Sequence, residues 1–156
     1  MRAISRKVLS RVVPVILLIA LILPMNAYGT DDSSMSTRAS DYINSYNAYI
    51  YPAGWGKIQV YFDVTGVDYM DDIGTLNIKI YESTDQINWT WVKTYSHDTT
   101  SGMLGHDKIY HSGHVDYSGT IGRYYKAYVC IWAGKDGDGD TRYMWTQPKK
   151  ATLLAG

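Results

Sequence analysis

The longest β-prone run after the N-terminal segment extends from Gly122 to Gly134 and contains no proline. Tyr, Val, Ile and Trp suit a pleated, half-buried surface, so this run predicts a central β-strand. It leads into a tip rich in Gly and Asp at positions 134–140, and the chain then returns in a second predicted strand, Thr141 to Gln147. These features favour a fold built on antiparallel strands.

Two more segments show a period-two alternation, which is typical of strands with one buried and one solvated face. From Lys57 to Val64 the apolar positions are Ile58, Val60, Phe62 and Val64. From Thr75 to Ser83 they are Leu76, Ile78 and Ile80. Further strands are predicted at Tyr46–Tyr51, Trp89–Ser96 and Ile109–Tyr117, with a β-bulge where Trp91 and Val92 break the alternation.

Turn-forming residues separate these segments and predict long loops at Thr65–Gly74 and His97–Lys108. No segment keeps helical spacing. About seven short strands with turns between them predict an all-β fold, an antiparallel β-sandwich. The predicted β-sandwich domain covers residues 42–148, between a flexible lead-in at 30–41 and a C-terminal tail at 149–156.

The N-terminus has the pattern of a secretory signal peptide. Four basic residues precede an apolar run from Val12 to Met25, and the small residues Ala27 and Gly29 follow. We expect cleavage after residue 29 and a secreted protein with no membrane attachment. An uncleaved membrane anchor is the alternative, but 14 apolar residues fall short of the roughly 20 that span a bilayer.

Removing residues 1–29 changes the charge of the chain. It takes away four of 15 basic residues and no acidic residue, so the mature chain has 11 − 15, a net charge of −4. The chain thus lacks the basic footprint that is typical of nucleic-acid binding, and we expect no nucleic-acid partner. Cys130 has no intramolecular disulfide partner, so a buried thiol is predicted, with an intermolecular disulfide as the alternative.

The strand from Gly122 to Gly134 predicts a candidate binding surface. Tyr125, Ala127, Val129 and Ile131 are expected to face inward, and the alternate residues to face outward. The returning strand adds rings to that outer side, beside Trp132 and Cys130. The predicted binding residues are Tyr124, Tyr128, Trp132, Tyr143 and Trp145. Exposed aromatic patches mark interaction sites, but these rings could instead stabilise the hairpin or be covered by another element.

No metal, cofactor or catalytic site is predicted. Asp136, Asp138 and Asp140 alternate like the start of an EF-hand, but Thr141 and Gln147 stand where the required Gly and Glu would be. The four histidines, His97, His106, His111 and His114, lack a zinc-site spacing. On one strand, His111 and His114 would point to opposite faces. No catalytic sequence motif occurs, so we do not expect an enzyme.

Several short motifs resemble a known family. They are Thr84-Asp85 before Trp89, Val92-Lys93-Thr94-Tyr95, Gly102-Met103-Leu104-Gly105, His111-Ser112-Gly113-His114-Val115 and Arg123 through Gly134. Together they resemble the small secreted Gram-positive bacterial proteins grouped as a domain of unknown function, DUF6147. The resemblance covers roughly residues 38–151 and implies export and a small β-domain, without an assigned activity.

The segment from Gly122 to Val129 is also distantly similar to the fibronectin type III pattern, in which a Gly precedes a Tyr at the start of an alternating strand. This similarity implies an immunoglobulin-like or fibronectin type III-like sandwich with Tyr125 as the tyrosine-corner residue. Tyr128 is the candidate in an immunoglobulin-type interpretation, but that phase would place Lys126 in the core.

The predicted function is therefore that of a secreted, non-enzymatic β-sandwich. Its partner is expected to be an extracellular glycan or protein, bound through the aromatic sheet face. The alternative is a structural or self-associating protein that forms oligomers through the same face and Cys130.

Overall fold

The computed structural model describes residues 40–156, which form seven strands and no helix. All strand pairs are antiparallel. The strands are β1 (Ile43–Gly54), β2 (Lys57–Ser83), β3 (Thr90–Ser96), β4 (Leu104–Ser118), β5 (Tyr124–Lys135), β6 (Asp138–Trp145) and β7 (Lys149–Lys150). The prediction of an all-β antiparallel fold is confirmed.

The strand β2 organises the sheet because its 27 residues pair with different neighbours along their length. Its N-terminal half, residues 57–66, lies between β1 and β4. Its C-terminal half, residues 72–83, pairs with β5 along its length and with β3 from Asn77 to Glu82. All seven strands therefore belong to one hydrogen-bonded sheet that curls. The division of these strands into two facing sheets stays a prediction.

The predicted loop at Thr65–Gly74 is wrong, because this segment is the middle of β2. Met70 and Ile73 are 1% and 0% exposed, and residues 70–74 pair with residues 104–108 of β4. The second predicted loop, at His97–Lys108, consequently ends where β4 begins at Leu104. Burial and backbone pairing override the turn preference of the Asp and Gly residues in this segment.

Burial on the inner face of the sheet confirms the predicted alternation of apolar and polar side chains. The apolar positions of the predicted strands are buried: Ile58, Val60, Phe62, Val64, Ile78, Ile80, Tyr125, Ala127, Val129 and Ile131. They form one hydrophobic cluster to which both halves of β2 contribute. Leu76 is the exception and is half-buried, because a register shift between Thr75 and Asn77 places Thr75 in the interior. The predicted bulge in β3 is also present, since the pairing with β2 skips Val92.

Tyr125 anchors the start of β5 through its hydroxyl group. The hydroxyl accepts a hydrogen bond from the backbone N–H of Thr120 at 2.8 Å and donates one to Glu82 Oε2 at 2.6 Å. The bond from Thr120 ties the start of β5 to the connection that precedes it. Burial, together with the bond to Glu82, raises the pKa of Tyr125 to about 12.

The residues predicted as a C-terminal tail, 149–156, lie against the domain. Strand β7 pairs with Tyr124 and Tyr125 of β5, and Ala151 is buried. Further along, the carbonyl of Leu153 accepts a hydrogen bond from the N–H of Trp55 at 2.8 Å. This segment therefore joins β5 to the turn between β1 and β2.

The predicted signal peptide, residues 1–29, lies outside the described residues, as does the lead-in at 30–41 apart from Ser40 and Asp41. Within residues 40–156, no helix has the length and apolar character needed to cross a membrane.

Candidate functional site

The hairpin between β5 and β6 sets the register of the candidate surface. Lys135 pairs with Asp138, so the turn consists of Asp136 and Gly137, both with positive φ (+55° and +83°). This is the conformation of a type I′ turn, for which Asp-Gly is a favoured sequence. The acidic tip is thus a hairpin turn, and no group of three or more His, Cys, Asp or Glu within residues 40–156 could hold a metal ion.

Three of the five predicted binding residues form one ring cluster on the outer side of β5 and β6. Trp145 pairs with Tyr128, and their ring centroids lie 4.9 Å apart at an interplanar angle of 42°. Tyr128 also stacks on Tyr143, with centroids 5.6 Å apart at 9°. Trp145 and Tyr143 are 47% and 48% exposed. Tyr128 therefore links the two exposed rings.

Trp132 and Tyr124 lie away from this cluster. The prediction that Trp145 stands beside Trp132 is wrong, because Trp132 pairs with Thr141. The Trp132 ring instead lies across Gly134 and Gly139, so close that a Cβ on either glycine would come within 2.7 Å of it. Tyr124 lies at the opposite end of β5, where the Lys150 ammonium is 5.4 Å from its ring centroid.

Sequence reasoning missed the contribution of β2 and β3 to this surface. Tyr81 of β2 contacts Trp145 at a centroid distance of 5.1 Å. Trp91 of β3 pairs with Tyr81 and is 57% exposed. The alternation with Ile78 and Ile80 already placed Tyr81 on the outer side, but nothing local indicates which strand lies beside it.

Lys126 completes the surface. Its ammonium lies 4.5 Å from the ring centroid of Trp89 and 4.4 Å from that of Trp145, both within cation–π distance. The surface on the outer side of β3, β5, β6 and the C-terminal half of β2 is called the aromatic face below. Its rings are Tyr81, Trp89, Trp91, Tyr128, Tyr143 and Trp145.

Cys130 lies under the aromatic face and is buried, as predicted. It pairs with Tyr143 across the β5–β6 hairpin. Burial raises the pKa of the Cys130 thiol, so the protonated form is favoured. A buried protonated thiol is poorly placed to form an intermolecular disulfide.

A second row of rings lies on the outer side of β1, β4 and the N-terminal half of β2. Tyr49 stacks on Tyr61 with centroids 5.2 Å apart at 9°, and Tyr61 contacts His114 at 5.0 Å. These three residues are called the Tyr–His row below. On the other side of β4, His111 packs against Phe62, which confirms that His111 and His114 point to opposite faces.

Comparisons with known proteins add little. No family model matches the chain, and no curated protein matches it. Among solved structures, the crystal structure of a family 76 glycoside hydrolase from a bovine Bacteroides thetaiotaomicron strain aligns with 68% of this chain at 14% identity and a TM-score of 0.31. The chain spans only 20% of the length of that hydrolase. A similarity this low carries no argument about fold or activity.

Proposed function

We propose that this protein is a secreted, non-enzymatic binding domain whose aromatic face binds an extracellular glycan. One observation carries the proposal: five aromatic side chains from four adjoining strand segments, together with Trp89 just before β3, lie on one outer surface, and Trp91, Tyr143 and Trp145 are about half exposed. Large exposed rings that lie together are unusual on a soluble domain unless they serve recognition.

The chemistry of the face suits a sugar. Tyrosine and tryptophan combine an apolar ring with a polar tip, so they contact apolar C–H surfaces while remaining hydrated. Polar side chains occupy the same strands: Asn77 pairs with Ser96 and Cys130, and Thr94 pairs with Lys79. A glycan offers apolar C–H surface and hydroxyl groups together, which matches rings set among hydrogen-bonding side chains.

The contacts within the face support a preorganised site. Trp145 contacts Tyr81, Tyr128 and the Lys126 ammonium, and Trp91 Nε1 donates a hydrogen bond to Thr94 Oγ1 at 3.0 Å. Rings held by such contacts have less conformational freedom to lose when a ligand binds.

The proposal includes an immunoglobulin-like fold for the domain. Strands β1, β2 and β4 are neighbours in the order of strands A, B and E of such sandwiches, and β2, β5 and β6 in the order of C, F and G. In that correspondence β2 supplies both B and C, and Tyr125 stands near the start of strand F, where the tyrosine corner belongs. Pairing order and the Tyr125 hydrogen bond are the support for this fold.

A glycan array probed with the purified protein tests the function. We expect binding by the natural protein and its loss in the double variant Trp91→Ala/Trp145→Ala. The matched control is Tyr49→Ala/Tyr61→Ala, which removes two rings from the other outer surface and leaves the aromatic face intact. An array without any bound glycan, or equal loss in both double variants, would refute the proposal. A mass in solution that rises with concentration and depends on Trp145 would indicate self-association instead.

A further inference from the structure

The charge on the aromatic face differs from that of the domain around it. Residues 40–156 contain 13 acidic and 10 basic residues, a net charge of −3. Among the outward positions of the four strand segments that form the face, the acidic residue is Asp72, which pairs with Gly134 at the far end of β5 and contacts His106 Nδ1 at 2.6 Å. The outward charged side chains beside the rings are Lys79 of β2 and Lys126 of β5. The face is thus a cationic patch on an acidic domain.

Among the described residues, no carboxylate forms an ion pair with either lysine. Other cations of the domain do, since Arg123 bonds Glu82 at 3.1 Å and Lys135 bonds Asp68 at 3.0 Å. None of the ion pairs formed within residues 40–156 includes Lys79 or Lys126. The two ammonium groups therefore remain available to an anion from outside the domain.

The lysines also stand at fixed positions among the rings. Lys79, Tyr128 and Trp145 pair in sequence across β2, β5 and β6, so they form one row with a spacing of roughly 5 Å per strand. Lys126 precedes Tyr128 by two residues, and its ammonium lies between Trp89 and Trp145. Cationic groups thus stand beside Tyr128 and Trp145 at one end of the ring cluster.

We infer that the ligand of the aromatic face is an anionic glycan, one whose sugar units carry carboxylate or phosphate groups. The inference rests on the proposed function, since it names the class of glycan that the same face binds. Sugar rings contact Trp145, Tyr128 and Tyr143, and the anionic groups receive charge-assisted hydrogen bonds from Lys126 and Lys79. A neutral glycan would cover the same ammonium groups without replacing the water that solvates them.

The experiment measures the binding of the purified protein to three polymers: polygalacturonate, its fully methyl-esterified form and a phosphomannan, whose mannose units carry phosphate. The ester keeps the sugar backbone and removes the charge, and the phosphate polymer distinguishes the two sources of anion. We expect at least tenfold tighter binding to an anionic polymer than to the ester. We also expect binding to weaken as the ionic strength rises to about 0.15 M, where the Debye length is about 8 Å.

One double variant and a control test whether the two lysines cause the preference for the anionic polymer. Lys79→Met and Lys126→Met together should remove the preference for the anionic polymer, so that the variant binds the charged and the esterified polymer with equal affinity, because methionine keeps most of the alkyl part of each side chain and lacks the ammonium group. Lys57→Met removes an exposed cation at the start of β2 and should change nothing. The thermal midpoint of each variant serves to check folding.

The outcomes separate the inference from the proposed function. Equal affinity for the charged and esterified polymers would overturn the inference and leave glycan binding intact. A preference that survives in the double lysine variant would also overturn it. Binding to none of the three polymers, with a glycan array that is also empty, would remove the proposed function and the inference with it.

Discussion

The two outer surfaces of the curled sheet carry the same ring geometry in different surroundings. Tyr49 and Tyr61 stack at 5.2 Å and 9°, and Tyr128 and Tyr143 stack at 5.6 Å and 9°. Stacks of this kind arise wherever aromatic side chains meet on adjacent strands, since neighbouring side chains on one side of a sheet lie about 5 Å apart. Stacked rings alone are therefore poor evidence of a binding site.

The surroundings of the rings distinguish the two surfaces. Beside the Tyr–His row stand Asp63 and Asp116, and Asp116 already accepts a hydrogen bond from Gln59 at 2.9 Å. Beside the rings of the aromatic face stand lysines in place of carboxylates, and the face adds three tryptophans. The comparison indicates that the row stabilises its strands, while the aromatic face keeps rings and cations available to a partner.

The largest expected effect comes from removing one ring from each surface. Trp145→Ala should weaken glycan binding by about 2 kcal/mol, roughly 30-fold in Kd, because Trp145 contacts three other residues at the centre of the face. Tyr61→Ala, its counterpart in the Tyr–His row, should change Kd by less than about twofold. Isothermal titration with the best array ligand measures both, and similar losses in the two variants would end the distinction between the surfaces.

The second effect concerns the stability that Tyr125 contributes on the inner side of the sheet, beneath the two outer surfaces. Tyr125→Phe should lower the free energy of unfolding by about 1–3 kcal/mol, because the Thr120 N–H and Glu82 lose their common partner in a buried site. Tyr128→Phe is the matched control on the aromatic face and should cost much less. Urea unfolding followed by circular dichroism measures both, and a cost for Tyr125→Phe below about 1 kcal/mol would contradict the stabilising role of its hydroxyl.

The same hydroxyl makes stability depend on pH. The pKa of Tyr125 is raised to about 12 in the folded protein, against an ordinary value of 10.0. Its contribution is therefore fully present below pH 10 and is lost progressively as the pH rises from 10 towards 12, since only the unfolded chain releases this proton in that interval. Thermal midpoints between pH 9 and pH 12 should fall less steeply for Tyr125→Phe than for the natural protein; parallel curves would contradict the assignment.

The smallest effect tests whether the two stacks stabilise the sheet equally. Tyr49→Ala and Tyr143→Ala each remove one ring of a stacked cross-strand pair, so each should lower stability by roughly 0.5–1 kcal/mol. Only Tyr143→Ala should also lower the affinity for the ligand. Unfolding curves combined with titration check this pair, and a ligand effect from Tyr49→Ala would place the binding site on the other surface.

Period-two alternation was enough to predict the all-β class, the residues of the inner face and the inward orientation of Tyr125. Ile58, Val60 and Phe62 are buried as expected, because a strand with one apolar side can only turn that side inward. The β3 bulge at Val92 followed from the same reasoning, whereas the burial of Cys130 was predicted from the usual behaviour of a lone cysteine, because the alternation placed it on the outer side. These features depend on residues near one another in the chain.

Features that depend on strand neighbours could not be predicted. The turn-forming residues Asp68, Asp71 and Gly74 indicated a loop, but pairing with β4 and the burial of Met70 keep the backbone extended. Tyr81 and Trp91 were missed as members of the aromatic face because no local pattern places residues 75–83 beside residues 124–134. Trp132 was wrongly expected beside Trp145, because its ring packs over Gly134 and Gly139 instead of against the neighbouring rings.

The unbroken course of β2 has a consequence for how the domain reports a bound ligand. Residues 57–66 and 72–83 belong to one continuous strand, so opening one half strains the hydrogen bonds of the other. We therefore expect amide protons of β1 and β4, which pair with residues 57–66 of β2, to exchange more slowly when a ligand is bound at Trp145. In this sheet, a ligand bound to one half of β2 would make the backbone paired with the other half more rigid.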